Sequence, residues 1–157
     1  MSPTRLSANS AVAPLLEGAE PSLASPPVNV LCVGLHPTGL APCIINFAEW
    51  RAHLLARVRR QIDLTADPIL IALIDELGDY PTSGDARHNG PSETEQYANV
   101  LVPLKLVIEG SILSLFSMTT VFGTPVDITL SELAVESFLP ADAATAEALH
   151  RLAAAAK

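Results

Sequence analysis

Few side chains in this sequence are suited to chemistry, and their spacing keeps those few apart. The four histidines, His36, His53, His88 and His150, are scattered over a turn, a helical stretch, a polar loop and the C-terminal region. His36 precedes Pro37 at the end of an apolar run, where the mouth of a pocket could lie. As a general base it would need a nucleophile and oxyanion donors. No G-x-S-x-G, phosphate-cradling glycine loop or H-E-x-x-H accompanies it. A turn histidine bonded to neighbouring backbone is the simpler account. Asp75 and Glu76 are adjacent on a helical stretch and therefore diverge, which suits a solvated face better than a paired-carboxylate site. Cys32 and Cys43 lack the C-x-x-C spacing of a metal site. The sequence thus predicts no catalytic residue, no metal ligands and no cofactor, and a chain that is not an enzyme.

The remaining residue types suit the holding of an apolar molecule. In the run SLFSMTTVFGTPVD, residues 114–127, Phe116, Met118, Thr120 and Phe122 share one side of a strand. Two aromatics, a flexible thioether and a hydroxyl make a plausible wall for an apolar pocket with a polar anchor. An ordinary sheet face packed on a helix explains the same pattern, since threonine is itself a strand former. Phe47, Trp50 and Leu54 fall on one helical stripe, and with His36 they complete the candidate ligand-binding set.

The elements that must position these groups are organised around residues 28–62. Val28 to Leu35 is apolar on both faces, and the sequence predicts a buried strand there. Pro37, Thr38 and Gly39 break the run. Folding Leu31–Leu35 back on Leu40–Ile44 would pair Leu35 with Leu40 and set Cys32 opposite Cys43, although Pro42 argues against regular pairing. Asn46 and Glu49 have the spacing of a helix N-cap with a reciprocating carboxylate. Behind them Phe47, Trp50, Leu54, Val58 and Ile62 form the buried stripe, with Arg51, Arg57, Arg59 and Arg60 largely off it.

Asp67 and Pro68 predict the start of a second helix, with Leu70, Leu73, Ile74 and Leu77 inward and Gly78 and Pro81 at its end. Residues 82–96 (TSGDARHNGPSETEQ) read as an exposed loop. From Asn99 the period is two: Val100, Val102, Leu104, Leu106 and Ile108 share a face, Glu109-Gly110 turns, and Ser111 to Val121 returns. Asp127 to Phe138 reads as a third strand, with a helix as the alternative. Pro140, Ala141 and Asp142 open an alanine-rich helix. The expected fold class is α+β, an antiparallel sheet with helices packed on one face.

A chain of 157 residues is one domain by length, and 49% hydrophobic with 17% charged residues is a core-rich composition. The formal net charge of −8 makes it a poor holder of phosphate, so no direct nucleic-acid binding is expected; Arg57, Arg59 and Arg60 are the local exception. Two cysteines do not make a secreted disulfide framework, and no leader or spanning stretch is visible. The expectation is a cytoplasmic chain that does not engage a membrane.

Two long runs carry a resemblance. The segments NVLCVGLHPTGLAPCIINFAEWRAHLLARVRRQ and SLFSMTTVFGTPVDITLSELAVESFLPADAATAEAL, in that order, closely resemble the MmyB-like ligand-binding domain of bacterial Cro/CI-type helix-turn-helix transcription regulators. The likeness covers about Ala8 to Leu152. It implies a PAS-like sensor fold with an apolar pocket for a fatty-acid-like molecule, controlling a DNA-binding domain. Two departures stand beside it. The sequence begins at Met1 without the regulators' helix-turn-helix, and residues 1–27 look like a remnant lacking the sensor's opening strand, with the domain proper at 28–157. That fits a misplaced start, a gene remnant or a stand-alone sensor. The family also more often carries a basic residue where Cys32 and Cys43 stand. The expected partner is a small apolar ligand; a homodimer or interaction module, using the sheet edge left open, is the alternative, and a small-acyl enzyme a weaker one.

Overall fold

Asn29 starts the first element. Its side-chain oxygen accepts the backbone N–H groups of Leu31 and Cys32 at 3.0 and 3.3 Å and caps a short helix, α1, Val30–Leu35. This corrects the expected strand over Val28–Leu35 for residues 29–35; Val28 lies outside the described residues. An apolar run of this length has no decisive period, and the capping amide settles the competition for helix. In the computed structural model the residues described are 18–23, 29–82, 101–122 and 133–155, with the side chains of 119–122 and 133–135 left outside. The expected loop at 83–96, Val100 and residues 127–132 of the third run also lie outside the described residues.

The turn after α1 folds back on it. Gly39 donates its N–H to the His36 carbonyl at 2.9 Å, and Leu40 donates to Val33 at 2.8 Å. A Cβ on Gly39 would sit 2.1 Å from the Val33 carbonyl oxygen, so only glycine permits this approach. The helix also removes the register that would have opposed Cys32 and Cys43: Leu40 meets Val33 instead of Leu35. Both thiols are free and half-buried.

A single 3₁₀ turn, Ala41–Cys43, leads to Ile44, which bridges to Leu106, and Ile45, whose N–H donates to Lys105 at 2.8 Å. The long helix α2, Phe47–Thr65, follows and ends in Ala66 at φ 50°. Its stripe is as expected, with Trp50, Leu54 and Val58 buried; Leu55 joins them. Asp67 caps α3, Pro68–Asp79, accepting from Ile69 at 2.8 Å, with proline at the first position. Arg51 of α2 reaches the far end of α3 and donates to the Leu77 and Gly78 carbonyls at 2.9 and 3.0 Å. A cation on these orphan carbonyls favours the helix terminus.

The sheet is a three-stranded antiparallel meander, β1 Leu104–Ile108, β2 Ser111–Phe122 and β3 Leu133–Pro140, in that order. Glu109 and Gly110 both take positive φ, 49° and 75°, the geometry of a tight hairpin turn whose twist matches the strands. β2 pairs its first half with β1 and its second with β3. Asp142 then accepts the Thr145 N–H at 2.7 Å and opens α4, Ala143–Ala155. Two hydrogen bonds from Thr145 hold that carboxyl below its ordinary pKa.

Leu104, Leu106, Leu113 and Leu115 point to one face of the sheet and are nearly inaccessible. Leu35 of α1, Trp50, Leu54 and Leu55 of α2, Leu77 of α3, Ala148 of α4, and Ile44 and Val102 outside these elements pack with them in this core. The class is therefore α+β, with the core between helices and one sheet face. The other face exposes Val107, Ile112, Met118 and Leu139, with Lys105, Ser114 and Ser137 among them.

Candidate functional site

Strand parity decides which candidate residues can meet. Phe116 and Met118 alternate with the buried Leu113 and Leu115, so they project from the outer sheet face. Phe116 is half-buried and pairs with Leu139; Met118 is exposed opposite Ser137. Thr120 and Phe122 occupy the same strand in β2, opposite Val135 and Leu133, and their side chains lie outside the described residues. Phe47, Trp50 and Leu54 lie on the inner side, Trp50 and Leu54 inside the core and Phe47 packed against it. A single pocket using both groups would have to span the sheet.

His36 sits at the third location, the turn after α1. Its Nδ1 accepts the Thr38 backbone N–H at 3.2 Å and lies 2.9 Å from the Thr38 hydroxyl. That hydroxyl donates to Glu20 at 2.9 Å, and this bond, with help from Ser22, holds the Glu20 carboxyl below its usual range. With Nδ1 committed to the turn, only the far nitrogen of His36 is left to work as a base. The ring meets Tyr80 edge-on at 4.8 Å. The bland reading of this histidine, a turn residue bonded to local backbone, describes its contacts.

Tyr80 belongs to a polar cluster the sequence did not disclose. Its hydroxyl donates to Glu76 Oε1 at 2.7 Å, and the Cys32 thiol approaches the same oxygen at 3.8 Å. Burial, chiefly, pushes both the Tyr80 and the Cys32 groups up, and the Glu76 carboxylate adds to each. A thiol held neutral beside a carboxylate is a packing group, not an activated nucleophile. Residues 32 and 76 are distant in sequence, and only the helical turn of α1 brings them together. Asp75, by contrast, is exposed and makes no part of the cluster, as its divergence from Glu76 predicts.

On α2, His53 stacks on Trp50 with ring centroids 5.5 Å apart. Burial, with Arg57 and Arg60 nearby, lowers its pKa. Arg57 also pairs with Glu136 of β3 at 3.7 Å, and Glu136 accepts the Ser117 hydroxyl. These contacts tie α2 to the β2–β3 hairpin and assemble no reaction centre. Among the described residues no cluster of His, Cys, Asp and Glu could hold a metal ion. No described helix is long and apolar enough to cross a membrane.

An open groove of about 470 Å³ lies between the start of α1 and α3, lined by Asn29, Pro68, Ile69, Ala72, Leu73 and Glu76. It shares no residue with the sequence-predicted set. Sequence periodicity could not have found it, because its lining pairs the cap of one helix with residues of another that is distant in sequence.

The family of the MmyB-like transcription regulator ligand binding domain matches residues 4–152. The chain belongs to that family, and is thereby a ligand-binding domain of the kind that serves transcription regulators. No curated protein and no solved structure matches it.

Proposed function

We propose that this chain is the sensing half of a helix-turn-helix regulator, binding a small apolar, fatty-acid-like molecule and performing no chemistry. The observation that carries this is the family match over nearly the whole length, residues 4–152. The side chains agree with it: Phe47, Trp50 and Leu54 form an aromatic and aliphatic stripe between α2 and the sheet, and the hydroxyl beside His36, that of Thr38, is spent on Glu20. A ligand lodged on this inner side would displace α2 relative to β1 and β2, the movement a sensor needs. Phe116, Met118, Thr120 and Phe122 are a second apolar wall on the outer side, to be tested separately. In this reading the chain acts in the cytoplasm and leaves DNA to another domain; its charge of −8, which disfavours holding phosphate, supports the latter.

The test is a thermal shift with decanoate, since a molecule that binds only the native state stabilises it by mass action. Pairing of two copies across the outer sheet face is a second reading, favoured by the exposure of Val107, Ile112, Met118 and Leu139 together. Light scattering that gives a mass near twice 16.5 kDa, and near 16.5 kDa for Met118→Lys, supports it. A monomeric parent chain refutes it.

A further inference from the structure

We infer that the cationic flank of α2, Arg57 with His53 and Arg60 beside it, holds a carboxylate head group of the ligand in exchange for Glu136 of β3. This rests on the reading above, in which the acyl part lodges on the inner side of the sheet; the head group then needs a partner of its own. His53, Arg57 and Arg60 are spaced i, i+4 and i+7 and share one flank of the helix. That flank borders the apolar stripe, because His53 stacks on the buried Trp50 with ring centroids 5.5 Å apart. The helix carries four of the chain's nine lysines and arginines against Glu49 and Asp63, so its charge is opposite to that of a chain at −8. Of those four, Arg51 is spent on the α3 carbonyls and Arg59 lies off the stripe, exposed.

The flank already takes one carboxylate, and takes it loosely. Arg57 lies 3.7 Å from Glu136, beyond the about 2.7–2.9 Å of a strong charge-assisted contact, with the two side chains 40% and 32% exposed. An exposed pair of that length is weak. A carboxylate that no strand holds back can meet the guanidinium bidentately, and Glu136 keeps the Ser117 hydroxyl when displaced. Beside this pair the inner face of the sheet stops being closed. Leu113 and Leu115 are inaccessible, Ser117 continues their face half-buried, and Phe138 opposite it is 37% exposed. An acyl chain entering there covers Phe138 and leaves its head at Arg57. Burial and the two arginines lower the His53 pKa against Glu49, and a bound carboxylate would raise it. Exchange would also release the β2–β3 hairpin from α2, turning occupancy into movement.

The probes are decanoate and decanol, alike in chain and unlike in charge, titrated calorimetrically into the full chain at about 150 mM salt, where surface attraction acts over about 8 Å. Arg57→Gln should weaken decanoate about tenfold or more and leave decanol within about twofold. Glu136→Gln removes the competitor and should tighten decanoate about threefold, with decanol unchanged. Arg59→Gln and Glu147→Gln make the same charge changes at exposed positions elsewhere and should leave decanoate within about twofold. A proton NMR titration should show the His53 pKa rising with decanoate and not with decanol. Decanoate weakened as much by Arg59→Gln as by Arg57→Gln, or decanol weakened along with it, overturns the head-group site while the ligand reading stands. So does a Glu136→Gln chain that binds decanoate no better, or a His53 pKa that decanoate leaves in place. If neither compound binds the parent chain, the ligand reading falls and the head-group site with it.

Discussion

The side-chain oxygen of Asn46 accepts the backbone N–H of Lys105 at 3.1 Å, while its nitrogen donates to the Pro103 carbonyl at 2.8 Å and to Glu49 at 3.0 Å. Asn46 stands at the N-cap position of α2, yet makes no side-chain capping bond there. Its amide acts as one more rung of the sheet and, with Ile45, closes the outer edge of β1. The contact fixes the long helix to the strand it covers.

Replacement of Asn46 by alanine should therefore cost more than a lost cap. The Lys105 N–H of β1 and the Pro103 carbonyl just before the strand lose their partner, each costing about 1–3 kcal/mol if left unpaired. A melting temperature lowered by about 4 °C or more is expected in a domain of this size. Asn46→Asp keeps the acceptor for Lys105 but loses the donor to Pro103, and should fall between. A shift of under about 1 °C for the alanine variant would show that the bridge contributes nothing.

Gly39→Ala should destabilise through backbone displacement. The new Cβ would lie 2.1 Å from Val33 O and 3.3 Å from His36 O, both main-chain atoms that cannot rotate away. A loss of about 2 kcal/mol or more is expected in urea unfolding, against near-neutrality for alanine at exposed Gly78, whose added Cβ meets nothing. Equal effects at the two glycines would contradict the tight turn.

His53 should make stability fall on the acid side. Its folded pKa is lowered, so between that value and the unfolded value near 6.5 the unfolded chain binds more protons. Stability from this group is complete above pH about 6.5 and is lost as pH falls through the folded value. His53→Gln should flatten this part of the stability profile measured by denaturant titration from pH 8 to 5. An unchanged slope would assign the acid sensitivity elsewhere.

Cys32 should be a slow nucleophile. Burial pushes its thiol up, the Tyr80 hydroxyl partly opposes this, and Glu76 raises it further. Alkylation by iodoacetamide at pH 8, followed by peptide mapping so that Cys43 is counted separately, should be slower than for free cysteine. Glu76→Gln should speed it. A Cys32 that reacts as fast as free cysteine would contradict the buried cluster.

The long elements were legible in the sequence because their physics is local. The stripe of Trp50, Leu54 and Val58, the Asp67-Pro68 start and the Glu109-Gly110 hairpin all follow from spacing and backbone preference. Val30–Leu35 was not, since six apolar residues suit strand and helix alike and the deciding bond comes from Asn29 outside the run. Asn46 was recognised by its place before a helix, but its amide is spent on residues 103 and 105, far along the chain. The candidate site divided for a related reason. Period two placed Phe116 and Met118 together, but which side of the sheet faces Trp50 depends on helices that β2 itself does not encode.

The central claim is that an apolar acyl molecule binds on the helix side of the sheet, and decanoate with Phe47→Ala and Phe116→Ala tests it most directly. Phe47 packs on the inner core and Phe116 projects from the outer face, and both are half-buried. Decanoate should raise the melting temperature of the parent chain by several degrees; about 100 times the dissociation constant of ligand gives about 2.7 kcal/mol. The shift should shrink strongly in Phe47→Ala and persist in Phe116→Ala, with Arg59→Ala as a neutral control. No shift in the parent chain, or a shift lost in Phe116→Ala and kept in Phe47→Ala, would contradict it.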